Sequence, residues 1–299
     1  MPSFPLALPG ERVGEALFCL SQRRPASIDA FIASRNRVMS HPIRLAVNGA
    51  TGRMGQALLG LLRDDKRFEL CAAITSERHE GKPVFAGSDA LAYSSGWPNG
   101  LDVVIDFSGP AGLAAALDYC EANQVALVTG TTGIDAALAR RLDNAPIAHL
   151  HATNFSLGVA VLTRLLRQAS AALSDWDLEI VEAHHGRKED APSGTALSLG
   201  KAAAQARGTT LEQDAVYARE GRTGPRKTGT IGFAVVRGGD IVGEHSAMLI
   251  GQGERLELGH RATDRSIFAR GAIEAACWLA GKPAGAYDLD AMLAERSGA

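Results

Sequence analysis

The sequence predicts an α/β protein: a doubly wound parallel sheet, followed by a second α+β domain built on a mixed sheet. Two observations carry this. From Ile43 to His151, short apolar runs alternate with helical patterns across brief links. After Asn154 that rhythm gives way to one long amphipathic segment and then to closely spaced strand candidates. Strand–helix alternation calls for parallel strands, because each crossover must return right-handed to the same sheet.

Bulk properties fit such a fold. The chain has 299 residues, 46% hydrophobic and 21% charged, enough for two cores. Its formal net charge of −2, with both signs interspersed, speaks against a nucleic-acid or anionic-membrane partner. No apolar run reaches the roughly 20 residues of a membrane span. The four cysteines, Cys19, Cys71, Cys120 and Cys277, are far apart and form no zinc-spaced cluster. Free thiols in a reducing cytoplasm, and no metal, are expected.

Residues 1–41 read differently from the rest. With Pro2, Pro5, Pro9, Pro25 and the pair Arg23 and Arg24, they are either a weakly ordered tail or an over-extended start, with Met39 opening the folded protein. Strand candidates then run over 43–48, 68–74, 101–107, 125–129 and 147–151, with helices over 56–63, 110–122 and 134–142 between them. The run from Leu101 to Phe107 is almost wholly apolar and is expected to be covered on both faces. Beyond it, helices are expected over 157–173, 193–206 and 266–279. Strands are expected over 178–183, 230–236, 241–250 and 255–261, the last three with hairpin-like spacing. Residues 208–229 read as a glycine-rich loop.

Three segments carry chemistry. Between the first strand and helix lies Gly49-Ala50-Thr51-Gly52-Arg53-Met54-Gly55. The first glycine permits the tight turn, the second lets backbone approach a pyrophosphate at the positive helix end, and the third lets helix and sheet pack closely. Arg53 can add a phosphate contact or stack on an adenine. At the tip of the second strand stand Thr75 and Ser76, where a carboxylate would select the free ribose hydroxyl of NAD. Small hydroxyls with Arg78 nearby tolerate a 2′-phosphate, so NADPH is expected to serve at least as well as NADH. Gly130-Thr131-Thr132-Gly133 follows another strand on the same edge, and Thr131 or Thr132 also suits a helix cap before Ile134.

The third segment runs from Glu182 through His184, His185, Arg187, Lys188 and Asp190 to Pro192-Ser193-Gly194-Thr195. Cations crowd a strand end and a helix begins directly after them, with Pro192 near its first position. The exposed N–H groups of that turn suit a ligand bearing carboxylates. The imidazoles and the ammonium suit proton transfer near neutral pH.

Taken together, these motifs resemble the 4-hydroxy-tetrahydrodipicolinate reductase (dihydrodipicolinate reductase) family. The likeness runs from about Ile43 to the last helix. It includes Asn154-Phe155-Ser156, Gly229 to Phe233 and Gly239 to His245. It implies a Rossmann-like domain over 42–151, completed by a C-terminal helix 266–299, and a substrate-binding and oligomerisation domain over 152–265 in a cytoplasmic homotetramer. By motif position it implies dinucleotide contacts from Gly49, Ala50, Thr51, Gly52, Arg53, Met54, Thr75, Ser76, Gly130, Thr131, Thr132, Ala152, Thr153, Asn154, Phe155, Arg265 and Phe268. His184 would carry the proton and Lys188 would be the second donor. His185, Gly194 and Thr195 would hold the carboxylates of a small dicarboxylate substrate. The implied reaction is NADPH- or NADH-dependent reduction of (2S,4S)-4-hydroxy-2,3,4,5-tetrahydrodipicolinate to tetrahydrodipicolinate with loss of water, in lysine biosynthesis through diaminopimelate. Where the family often has a carboxylate and then an arginine, this chain has Thr75 and Ser76. Its usual basic residue after His185 is Gly186 here. An amino-acid dehydrogenase acting on a related dicarboxylate would share the glycine turn without the histidine–lysine segment, and a dinucleotide-sensing regulator would need no proton donors.

Overall fold

The computed structural model describes residues 41–298; both readings of the first forty residues, and Cys19, lie outside them. Eight strands form the first sheet: β1 (Ile43–Asn48), β2 (Phe68–Ile74), β3 (Pro83–Phe85), β4 (Ser88–Ser94), β5 (Val103–Asp106), β6 (Ala126–Thr129), β7 (Ala148–His151) and β13 (Gly285–Tyr287). Their order is β13-β7-β6-β5-β1-β2-β4-β3. Every pairing is parallel except that of β3 with β4. The order reverses between β1 and β5, and ligands of open α/β sheets bind outside the carboxyl ends of strands at such a point. Asn48 and Asp106 end those two strands in register.

Helices α1 (Arg53–Leu62), α2 (Pro110–Asn123) and α3 (Ala136–Asp143) make the crossovers. Strand β5, apolar but for Asp106 at its end, is buried along its whole length, as its sequence predicts. One core layer joins Val104 and Leu127 to Leu113, Leu117 and Cys120 of α2. At about 25 cal/mol per Å² of apolar surface, each such leucine contributes roughly 2 kcal/mol.

Strands β3, β4 and β13 and the final helix α8 (Leu289–Ser297) go beyond the sequence expectation. The C-terminal part is therefore α7 (Ser266–Leu279), a strand and a second helix, rather than one helix over 266–299. α7 lies over β5, β6 and β7. Its small residues let it come so close that a Cβ at Gly271 would strike the carbonyl of Phe155.

The second sheet comprises β8 (Asp177–His184), β9 (Ala215–Val216), β10 (Ile231–Arg237), β11 (Gly243–Ile250) and β12 (Arg255–Ala262). Its order is β12-β11-β8-β10-β9. It is mixed: β10 runs parallel to β8 and β9, while β11 is antiparallel to β8 and β12. The expected hairpin of β10 with β11 does not form, because β8 lies between them; only β11 and β12 make one. Helices α4 (Leu157–Ala172) and α5 (Gly194–Ala206) cover one face, packing Leu162, Leu166, Leu199 and Ala203 on Leu178, Ile180, Phe233 and Leu249. The loop 208–229 contains a short helix, α6 (Leu211–Asp214), besides β9.

The opposite face of this sheet is open. In register it carries the apolar Val181, Ala183, Ala234, Val236 and Met248 together with Glu179, Glu244 and Ser246, and Val236 is 47% exposed. No helix among the described residues is long and apolar enough to cross a membrane.

Candidate active site

Gly49 turns the chain after β1 at φ +75°. A Cβ there would strike the main chain of Phe107 and Ser108, and one at Gly55 would strike Gly49 and Ala50. α1 starts at Arg53, three residues earlier than expected, and no side chain caps it at Gly52. Its first N–H groups are thus left for an external acceptor, with Thr51, Gly52 and Arg53 exposed around them. The turn fits a phosphate of a dinucleotide on both counts: no side chain fills it, and its donors have no cap.

Beneath the turn sits Asp106, fully buried. Its carboxylate accepts from Asn48 Nδ2 at 2.8 Å, Ser108 Oγ at 2.5 Å, and Thr129 Oγ1 and Thr131 Oγ1 at 2.7 Å each. One acidic side chain thereby ties together the ends of β1, β5 and β6. Thr131 is spent on this bond, and α3 is capped instead by Asp135, which accepts from the amides of Ala137 and Leu138. The threonine cap expected before Ile134 is corrected accordingly: an aspartate directly before the first turn outcompetes it. Thr132 is exposed, and Gly130 approaches the ring of Phe107 too closely for a side chain.

At the tip of β2, Thr75 Oγ1 meets Thr51 Oγ1 at 3.0 Å, while Ser76 is exposed. Beyond β7, Ala152 donates its amide to Thr129 O and Thr153 is exposed. Asn154 accepts from Ser156 N at 2.8 Å and donates from Nδ2 to Thr195 Oγ1 at 3.0 Å. That bond joins the loop after the first sheet to the first turn of α5. Phe155 is 1% exposed and stacks edge-on against Phe107, so its ring is floor rather than accessible surface. A cavity of about 500 Å³ begins at Thr153 and Asn154 and follows α4 past Arg164 and Arg167 to Asp290. His184 and Lys188 are not among its walls.

The second sheet brings the other residues to the same region. His184 ends β8, and Lys188 follows in a turn closed by Lys188 N to His185 O. Lys188 Nζ is held by both oxygens of Asp190, at 2.7 and 2.9 Å. α5 opens at Gly194 with Ser193 as its cap, Oγ accepting from Ala196 N. Pro192 therefore precedes the cap, one place earlier than its expected position near the first helical residue. Gly194 is exposed there, and Thr195 is half-buried. The His185 imidazole is held below its ordinary value by partial desolvation and by the positive charges of Arg187 and Arg265. Arg265 precedes α7, where its charge is felt by His185, and Phe268 lies in the first turn of that helix.

Three participants have no assigned role in the sequence reading. Glu182 is buried and receives His184, Arg237 and the Ser193 amide. Arg237 comes from β10. His245 of β11 lies 5.3 Å from His184, ring centre to ring centre, and shares a hydrogen with Ser193 Oγ at 3.0 Å. Burial pushes the His245 value down to about 4, so it is neutral where His184 would work. The signal for Glu182 was present: two residues before His184 on a strand places both side chains on one face. Arg237 and His245 become visible only through strand register.

Comparison with known proteins gives the same reading. Residues 43–155 match the family model described as dihydrodipicolinate reductase, N-terminus, and residues 158–293 match its C-terminus. A 4-hydroxy-tetrahydrodipicolinate reductase from Caulobacter vibrioides is 46% identical over 260 residues, covering 85% of this chain and 98% of that one. The enzyme of the same name from Acinetobacter baylyi is 45% identical over 273 residues, covering 85% and 97%. Among solved structures, a dipicolinate-bound dihydrodipicolinate reductase from Paenisporosarcina sp. TG-14 has a similar fold, with a TM-score of 0.66 at 22% identity over 83% of this chain and 97% of that one.

Proposed function

This chain belongs to the dihydrodipicolinate reductase family, and we propose that His184 and Lys188 are the groups that handle protons in its reaction. The enzyme is an NAD(P)H-dependent oxidoreductase of the diaminopimelate route to lysine. It reduces (2S,4S)-4-hydroxy-2,3,4,5-tetrahydrodipicolinate to tetrahydrodipicolinate with loss of water. The observation that carries the assignment of residues is the Asn154–Thr195 bond, which draws the dinucleotide-side loop and the start of α5 together.

In this reading residues 42–151, completed by 266–299, bind the dinucleotide, and residues 152–265 bind substrate. The turn from Gly49 to Met54, the hydroxyls of Thr75 and Ser76, Gly130 to Thr132, Ala152 to Phe155, Arg265 and Phe268 surround the dinucleotide. When bound, NAD(P)H supplies the hydride. The amides of Gly194 and Thr195 hold the substrate's carboxylate at the positive end of α5, with His185 beside them. His184 delivers or accepts a proton at Nε2, since Nδ1 faces Glu182. Lys188 carries a second proton.

The open face of the second sheet, with Val181, Val236 and Met248, packs against further copies of the chain in a homotetramer, working in the cytoplasm. NADPH serves at least as well as NADH, because no carboxylate stands at the tip of β2.

The test is oxidation of NADPH on adding the condensation product of aspartate semialdehyde and pyruvate. His184→Ala and Lys188→Ala are expected to lower kcat by about 10²–10⁴-fold with NADPH affinity nearly intact. Unchanged turnover in both would overturn the residue assignment.

A further inference from the structure

We propose that Glu182 is a positioning residue of this reductase: it fixes His184 as the Nδ1–H tautomer, aims Nε2 at the reacting centre, and locks that imidazole to the carboxylate-binding turn. The inference rests on the reading of His184 as proton carrier and adds the group that makes it one.

The carboxylate of Glu182 has no exposed side-chain surface. A carboxylate offers about four lone-pair positions, and four donors fill them here. His184 Nδ1 lies 2.6 Å from Oε2. Arg237 forks across both oxygens at 2.7 Å each. The Ser193 amide donates to Oε1 at 2.9 Å. With Arg237 and Ser193 as donors on either side, the position at Nδ1 is left as an acceptor's partner: the imidazole must donate there. Burial alone would push the Glu182 carboxyl up, but the Arg237 fork, His184 and the Ser193 amide outweigh it and hold the group below its ordinary range. It is therefore an anion at neutral pH, and a neutral carboxyl donating to His184 is ruled out.

The other nitrogen has room. Gly243 lies against the His184 ring, and a Cβ on it would come within 3.1 Å of Nε2. The same carboxylate also reaches the rest of the site. Ser193 caps α5, so the Glu182–Ser193 bond sets the distance between the imidazole and the N–H groups of Gly194 and Thr195. Arg237 Nη2 donates in addition to the carbonyl of Asp190, whose side chain holds Lys188. A buried, fully bonded carboxylate of this kind resists displacement because every donor it releases would be left unpaired.

The charged and titratable groups facing His184 are Glu182 on its own strand, Arg237 on β10, His245 on β11, and His185 and Lys188 in the loop that follows. Glu182 is the one anion among them. Removing its charge leaves the His184 ring near Arg237 and Lys188 without an anion of its own to bond Nδ1.

The first measurement is the tautomer itself, read by nitrogen chemical shifts of histidine-labelled wild-type protein, with His184→Ala used to assign the signal. Nδ1–H at neutral pH is expected; Nε2–H overturns the proposal whatever the variants do. The second is steady-state kinetics of Glu182→Gln and Glu182→Asp. Glu182→Gln is expected to lower kcat by about 10²-fold and leave the NADPH KM within about twofold. The Nδ1–H preference of His184 should weaken in the same variant. Glu182→Asp keeps the charge and is expected to return part of kcat. A Glu182→Gln enzyme with unchanged kcat and tautomer, or a loss that Glu182→Asp does not relieve, sinks the idea. Full activity in His184→Ala would instead remove the underlying assignment, so the two failures are distinct.

Discussion

Asn48 and Asp106 meet across the seam between β1 and β5, Nδ2 to Oδ1 at 2.8 Å, and neither is more than 5% exposed. This seam is where the strand order reverses, so the pair anchors the glycine turn from below. Asp106→Asn keeps the volume but turns one oxygen into a donor among donors. Hydrogen bonds to a charged group contribute about 1.5–3 kcal/mol each. The variant is expected to lose roughly 3 kcal/mol in denaturant unfolding. Its NADPH KM should rise more than its substrate KM, because the loops it releases lie on the dinucleotide side.

Thr51 and Thr75 share a hydrogen at the tip of β2, where an anion would repel a 2′-phosphate. Thr75→Asp introduces that anion. A like-charge contact at a few ångströms near the surface is worth about 1–2 kcal/mol. The NADPH KM is therefore expected to rise by about tenfold, with the NADH KM unchanged, in paired assays at low ionic strength. A strong preference of the wild type for NADH would refute the cofactor reading.

His245 gives a pH dependence of stability with a definite sign. Its folded value is about 4 against an ordinary 6.5, so between these pH values the unfolded chain binds a proton that the folded chain refuses. Stability is then full above pH 6.5, falls as pH drops toward 4, and loses nothing more from this group below that. The whole window amounts to about 3 kcal/mol. His185 and His260 are lowered in the same direction. The slope belonging to His245 is thus the difference between wild type and His245→Asn in urea unfolding at successive pH values. The variant is expected to be flatter across that window.

The open face of the second sheet makes a claim about assembly. Val236→Asp puts a charge beside Val181, Ala183 and Ala234 on that face without touching the helix-covered core. Light scattering is expected to show a tetramer for wild type and smaller species for the variant. A wild-type monomer would refute the assembly.

How much of this was legible beforehand depended on whether the signal was local. β2 and α7 begin and end where their apolar patterns do, at Phe68–Ile74 and Ser266–Leu279. β3 and β13 have three residues each, too few for any period to show, and they exist because a neighbouring strand edge accepts them. The pairing of β10 with β8 was hidden for a related reason: proximity in sequence favours a hairpin, and only the folded sheet shows that β8 intervenes. In the candidate site, His184, Lys188 and Gly194 could be singled out together because they lie within one short segment. Asp106 looked like the end of an apolar strand, and its role needed partners from three loops. Arg237 lay just past the strand expected over 230–236, and only the register places it opposite His184.

The return of the chain to its first sheet governs the order in which the protein is made. β13 pairs with β7, and α7 lies over β5, β6 and β7, yet both are synthesised after the whole second sheet. On the ribosome the first sheet therefore waits, with the edge of β7 unpaired and part of one face uncovered. The second sheet draws all its strands from residues before α7. An unpaired edge held open through translation is a site for association with other nascent chains.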